Sequence, residues 1–191
     1  MQKIGNQIQF SKSKDDIEVE IFPAPKSKDK LTLIIWIIGW TLCGAAVVVQ
    51  LLLYGEEFTR EQTTYLLIYL SLWTFFEFKV LNAFRWVKTG KELIEIKDGT
   101  FTYTKMFGKR GMPAVHDCSA VSKFEYQEST EAGILNDINR SIWIVGGEVI
   151  QYQTERKVRR LGMKLPKKDA LKLEELLNKH LGKQQANQRR N

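Results

Sequence analysis

The chain has 191 residues, a formal net charge of +7 and a mean hydropathy of −0.28. That mean excludes a polytopic transporter, and two cysteines exclude a disulfide framework. The length admits one domain or two small ones, and the average conceals one very apolar block, Leu31 to Phe84, between two polar ones.

In chain order, Ile17–Phe22 ("IEVEIF") alternates apolar and acidic residues, which is strand period. Residues 1–22 are therefore expected to form a strand or short hairpin, either docked on a later domain or lying at a membrane surface. "PAPKSKDK" then interrupts regular structure. Leu31–Gly55 carries no charge, and Gln50 is its only strongly polar side chain. About 20 apolar residues in a helix cross a bilayer core, so this segment suffices. It starts too late and runs too long for a secretory signal peptide, and it has no polar stripe to mark a soluble core helix. After the acidic turn Gly55–Gln62, a second apolar run spans Thr63–Trp86, interrupted by Glu77 and Lys79. It is long enough to return, with Lys79 reaching for the near interface. Trp36 and Trp86 suit the interfacial belt. Glu77 falls level with Trp36, Gly39 and Trp40 of the first span. An indole N–H is expected to meet its carboxylate, with Gly39 and Cys43 as a small-residue face.

After Trp86 the period changes to two. "ELIEIK" and "TFTYTKMF" flank Asp98-Gly99, a tight-hairpin pair. "MPAVHDC", "VSKFEY", "SIWIV", "EVIQYQTE" and "KVRRLGMKL" complete seven expected strands, with Leu161, Met163 and Leu165 toward the core and Arg160 and Lys164 toward solvent. Pro166 opens a helix whose Leu173, Leu176, Leu177 and Leu181 form one apolar stripe. The polar ending "GKQQANQRRN" is expected to be disordered. The chain thus divides into an N-terminal segment (1–30), a two-helix transmembrane hairpin (31–86, spans 31–54 and 63–84), an all-β domain with a C-terminal capping helix (87–181) and a disordered basic tail (182–191).

Trp86, the run Gly90-Lys91-Glu92 with Ile94 and Ile96, Phe101 and Tyr103, "FGKRG" and "VRRLGMKLPKKDALKLEELL" resemble the bacterial pleckstrin-homology-like (PH-like) membrane proteins, YcxB-like and related families. In these, two transmembrane helices precede a PH-like domain of seven strands and one capping helix. The resemblance covers roughly residues 30–181 and implies an architecture rather than an activity.

Lysines before the first span, and Arg85, Lys88 and Lys91 after the second, outnumber the single Arg60 of the turn. The positive-inside rule places both termini in the cytoplasm of a bacterial inner membrane and the loop 55–62 in the periplasm or outside the cell. The two histidines, His116 and His180, lack metal-ligand spacing, so no metal and no cofactor are expected. No phosphate loop and no nucleophile–base set is legible, so no enzyme and no catalytic residue is expected. The remaining signal is basic. Lys109 and Arg110 lie on one turn, and Arg156, Lys157, Arg160 and Lys164 lie near the last strand. With Arg85, Lys88 and Lys91 they are candidate contacts for anionic lipid or a partner. Glu77, Trp36 and Trp40 are candidates for polar packing within the membrane. The expected function is a non-enzymatic, membrane-anchored interaction or assembly module. The alternatives are an anionic-lipid-sensing domain and an accessory subunit of a larger membrane complex. Expected partners are the lipid bilayer and other membrane proteins or a second copy, and not nucleic acid.

Overall fold

The computed structural model describes residues 1–23, 27–127, 143, 145–155 and 157–189. The chain forms two compact units. One contains the chain up to Ala24 and, with a short gap, everything from Trp86 onward; the other contains Pro25–Arg85 and a short stretch around Trp143. The globular unit is therefore discontinuous, and the helical hairpin is an insertion within it.

The N-terminal residues settle the open alternative. Strands β1 (Gln2–Ile4), β2 (Ile8–Lys12) and β3 (Ile17–Ile21) join β4 (Gly90–Lys97), β5 (Thr100–Phe107) and β6 (Arg110–Asp117) in one antiparallel sheet of order β1-β2-β3-β4-β5-β6. The alternation of "IEVEI" explains the placement. Ile17, Val19 and Ile21 are buried, while Glu18 and Glu20 take the opposite face. The β3–β4 ladder pairs Ile17 with Ile96 and Ile21 with Glu92. The β4–β5 turn is the expected tight one: Asp98 has φ 49° and Gly99 φ 76°, and both central residues of such a turn need positive φ.

A second antiparallel sheet contains β7 (Glu125–Tyr126), β8 (Glu148–Gln153) and β9 (Val158–Met163), in that order. Helix α3 (Lys167–Gln188) follows. Both sheets and α3 share one core, in which Ile94, Phe101, Ile150, Leu161, Leu173 and Leu177 are fully enclosed. Phe101, Phe124 and Tyr152 meet there edge-on or tilted, with centroids 5.1–5.5 Å apart. Leu161, Met163 and Leu165 are buried and Arg160 is exposed, as expected. Gly162 is also buried between them, and Lys164, expected toward solvent, is half-buried, so burial along β9 does not alternate.

Two expectations change. "VSKFEY" contributes only a two-residue strand. Upstream of it the chain makes a short 3-10 turn, Cys118–Ala120, capped by the Asp117 carboxylate, which accepts from the Ser119 N–H at 2.8 Å. The Phe124 backbone is paired by a side chain instead of a strand: Asn178 Nδ2 donates to its C=O, and its N–H donates to Asn178 Oδ1, both at 2.8 Å. Of "SIWIV", only Trp143 and Val145 are described, so that expected strand lies outside the described residues. The second change is the tail. Residues 182–188 continue α3 rather than being disordered. Their amides serve backbone groups of the globular unit. Gly99 N–H donates to Gln184 Oε1, Gln185 Nε2 donates to Cys118 and Val121 C=O, and Gln188 Nε2 donates to Gly99 C=O. A glutamine-rich ending lacks apolar period, yet it pairs the Gly99 N–H and the Val121 C=O. It also adds a second donor to the Gly99 and Cys118 C=O groups, which accept from the Cys118 and Val121 N–H groups respectively.

Leu177→Ala should lower stability by about 2–5 kcal/mol, while Lys172→Ala, at an exposed position, should leave it unchanged. Ending the chain after Leu181 should also shift the urea midpoint down, since each buried backbone group stripped of its amide partner costs about 1–3 kcal/mol. A truncated protein with the full-length midpoint would show that the glutamines hold nothing.

Candidate functional site

The helical unit is built on α1 (Ser27–Tyr54), a 3-10 turn (Gly55–Glu57) and α2 (Arg60–Thr89), whose last turn, from Trp86, belongs to the globular unit. Helices of 28 and 30 residues are ~42 and ~45 Å long at 1.5 Å per residue, against an apolar bilayer core of ~30 Å. Both are long and apolar enough to span a membrane. The least exposed positions repeat at alternating steps of three and four: Leu33, Ile37, Trp40, Gly44 and Val47 on α1, and Leu66, Leu70, Trp73, Glu77 and Val80 on α2. That is the seam of an antiparallel helix pair. The remaining faces are apolar and uncovered, with Leu52 79% and Phe78 71% exposed.

Two indoles lock the seam reciprocally. Trp40 Nε1 donates to the Trp73 C=O at 3.3 Å, and Trp73 Nε1 donates to the Trp40 C=O at 2.8 Å. Gly44 makes room: a Cβ there would sit 2.0 Å from the Trp73 ring. The expected packing of Glu77 is thus corrected. Its Oε1 accepts from Thr41 Oγ1 at 2.8 Å, because the Trp40 indole is taken by the carbonyl one turn earlier on α2. Trp36 stacks on Trp40, with centroids 5.4 Å apart, and does not serve Glu77. Gly39, expected on the small-residue face, has nothing near its Cβ position; Gly44 fills that role. Lys79 lies over the Phe75 ring one turn back, 5.4 Å from its centroid.

Trp86 also departs from expectation. It is 5% exposed within the globular unit, packed edge-on against Phe107 at 5.2 Å, with the Lys105 ammonium 5.7 Å from its ring centroid. An amphipathic residue at a helix end reads equally as belt or plug from sequence alone.

The basic candidates separate by environment. Lys88, Lys109, Arg110, Lys157 and Arg160 are exposed, as is Arg85 at the end of the hairpin unit. Lys91 is half-buried and ion-paired with Glu20. Lys164 is half-buried at φ 53°, and burial pulls its ammonium below the usual lysine range against the opposing pull of Glu148. Arg156 lies outside the described residues. Among the described residues no group of three or more His, Cys, Asp or Glu could hold a metal ion. His180 is buried with Nδ1 3.0 Å from the Leu176 C=O, a bond within its own helix.

A buried acid emerges that the sequence marks only as part of the run Gly90-Lys91-Glu92 and not as a site residue. Glu92 is 1% exposed. Its Oε1 accepts from Met163 N–H at 2.8 Å, and its Oε2 accepts from Gly162 N–H at 2.8 Å and the Tyr103 hydroxyl at 3.1 Å. Gly162 adopts φ 78°, a conformation that favours glycine and lets successive N–H groups converge on the carboxylate. The signal was available as parity, since residue 92 shares a face with Ile94 and Ile96. Burial pushes the Glu92 carboxyl above the usual carboxylate range, opposed by the two backbone N–H groups, the Lys105 charge and the Tyr103 hydroxyl. The same enclosure pushes Tyr103 upward and raises Tyr152 to about 12. Lys105 is itself paired with Glu148 at 2.8 Å. Glu92 thereby ties the six-stranded sheet to β9 of the other sheet.

Compared with protein-family models, curated proteins and solved structures, the chain matches none.

The folded state holds the Glu92 proton more tightly than the unfolded chain does. Its stabilising contribution is full below the ordinary carboxylate range and is lost as pH rises through the raised pKa. Glu92→Gln cannot titrate and loses one acceptor, so it should cost about 1–3 kcal/mol. Denaturant unfolding across pH should show that part of the decline above the carboxylate range in the wild type and not in the variant. Parallel curves would contradict this assignment.

Proposed function

We propose that the chain is a non-enzymatic interaction or assembly module, held by its helical hairpin at the cytoplasmic face of a bacterial inner membrane and presenting a PH-like domain. The observation that carries this reading is the insertion of two uncovered apolar helices between the paired strands β3 and β4. A domain built from chain on both sides of the hairpin has to lie on one side of the bilayer, since two spans return the chain to its starting side. The lysines before α1 and the cations after α2 favour the cytoplasmic side. The PH-like assignment draws support from the order of elements: β3–β6 and β7–β9 make four strands and three, followed by α3. In this reading the hairpin enters after the first of the seven strands, and β1 and β2 are an addition. The non-enzymatic part rests on Glu92, whose oxygens are all spent on structural donors.

An anionic-lipid-sensing role is the second reading, favoured by the exposed cations Lys109, Arg110, Lys157 and Arg160. Each cation near an anionic leaflet is worth about 1 kcal/mol. A role as accessory subunit of a larger complex is the third.

Cysteine labelling tests the topology. The buried Cys118 is unsuitable, because burial raises its thiol to about 11. In a protein lacking both native cysteines, a cysteine replacing the exposed Thr59 should react with an impermeant thiol reagent in intact spheroplasts. One replacing the exposed Lys123 should react only after permeabilisation. The reverse pattern would overturn the orientation, and labelling of both in intact cells would overturn the hairpin. Mild-detergent purification from native membranes should recover a stoichiometric protein partner, and recovery of lipid alone would favour the second reading.

A further inference from the structure

Trp143 and Val145 lie far along the chain from α1, yet they group with the helical hairpin unit. The Trp143 ring packs on Trp36 with centroids 5.1 Å apart and planes tilted by 56°. Trp36 in turn stacks on Trp40, so three indoles are contiguous along one side of α1. Trp36 remains 43% exposed. At 1.5 Å per residue it lies ~7.5 Å beyond Leu31, where the uncharged run begins. Amphipathic elements seat at a depth of about 5–10 Å, at the boundary between headgroups and acyl chains, and indoles concentrate there because one ring offers both an apolar body and an N–H donor. The sequence around Trp143, "SIWIV", carries no charge that would oppose such a position.

We propose that Trp143 is a third membrane-contact point of this chain, seated beside Trp36 in the interfacial zone of the lipid leaflet. The inference rests on the membrane-anchor reading above and adds a contact that neither span supplies. The partner is the lipid surface itself, met at the level of the glycerol and upper acyl groups.

The test uses the full-length protein in vesicles whose lipids are brominated either near the headgroup or near the chain end. The emission of Trp143 is the difference between the wild type and Trp143→Phe. It should be quenched by brominated lipid, more by the shallow than by the deep label, and shielded from aqueous iodide. Quenching of that component by iodide and not by lipid, with the other tryptophans still quenched by lipid, would overturn the proposal and leave the anchor intact. Loss of lipid quenching from Trp36, Trp40 and Trp73 as well would overturn both. A measurement on the unaltered protein guards against a variant that misfolds. A lipid carrying a photoactivated carbene near its glycerol should label the peptide that contains Trp143, and an unlabelled peptide there, beside labelled spans, would overturn the proposal.

Discussion

The β3–β4 ladder is the constraint on which the rest of the molecule depends. Five residues, Ile17–Ile21, pair with Glu92–Ile96 across an excursion of some 70 residues through both long helices. Closing a loop of that size in a disordered chain is entropically unfavourable, although the cost grows only slowly with length. Two antiparallel helices of nearly equal length shorten the effective loop, because the second returns the chain to the level where the first began. Formation of the hairpin and completion of the sheet are therefore coupled through geometry. Without β3, the strand β4 would present unpaired backbone N–H and C=O groups along an open edge, the kind of edge that invites association.

Within the globular unit, buried polar groups perform work usually given to further strands. Glu92 gathers two N–H groups of β9 and the Tyr103 hydroxyl, tying one sheet to the other. Asn178 and the glutamines of α3 pair backbone groups around residues 99 and 118–124 that no neighbouring strand reaches. Glu174 adds a contact to the Tyr126 N–H at 3.2 Å. Such arrangements are costly when incomplete, since an unpaired polar group in a core loses its hydration with nothing in return. In the hairpin the same economy applies with fewer groups: the Trp40–Trp73 exchange and the Thr41–Glu77 bond place the polar atoms on the seam.

Much of this was legible from residue patterns. An uncharged run from Leu31 to Gly55, the Asp98-Gly99 turn and the leucine stripe of α3 each express one local rule, and each forms where that rule puts it. What was not legible depends on contacts remote in sequence. The alternation in "IEVEIF" indicates a strand but not that its partner is β4. Trp86 stands at a helix end, and only the position of Phe107 makes it a plug rather than a belt residue. Glu77 and Thr41 meet because the seam runs through Gly44 rather than Gly39, a choice made by the Trp73 ring. The glutamine tail looked featureless because hydrogen-bond partners leave no periodicity. The basic candidates were visible as charges, but Lys91 and Lys164 are drawn into the fold by Glu20 and by burial, which composition does not reveal.

The most direct test replaces residues 25–85, the helical unit alone, with a short glycine-rich connector joining β3 to the Trp86 turn before β4. If the globular unit is one domain interrupted by a membrane hairpin, the shortened protein should leave the membrane fraction, remain soluble and unfold in a single cooperative transition. A protein that still sediments with membranes would contradict the role of the hairpin as the principal anchor. A soluble protein with no cooperative transition would contradict the pairing of β3 with β4.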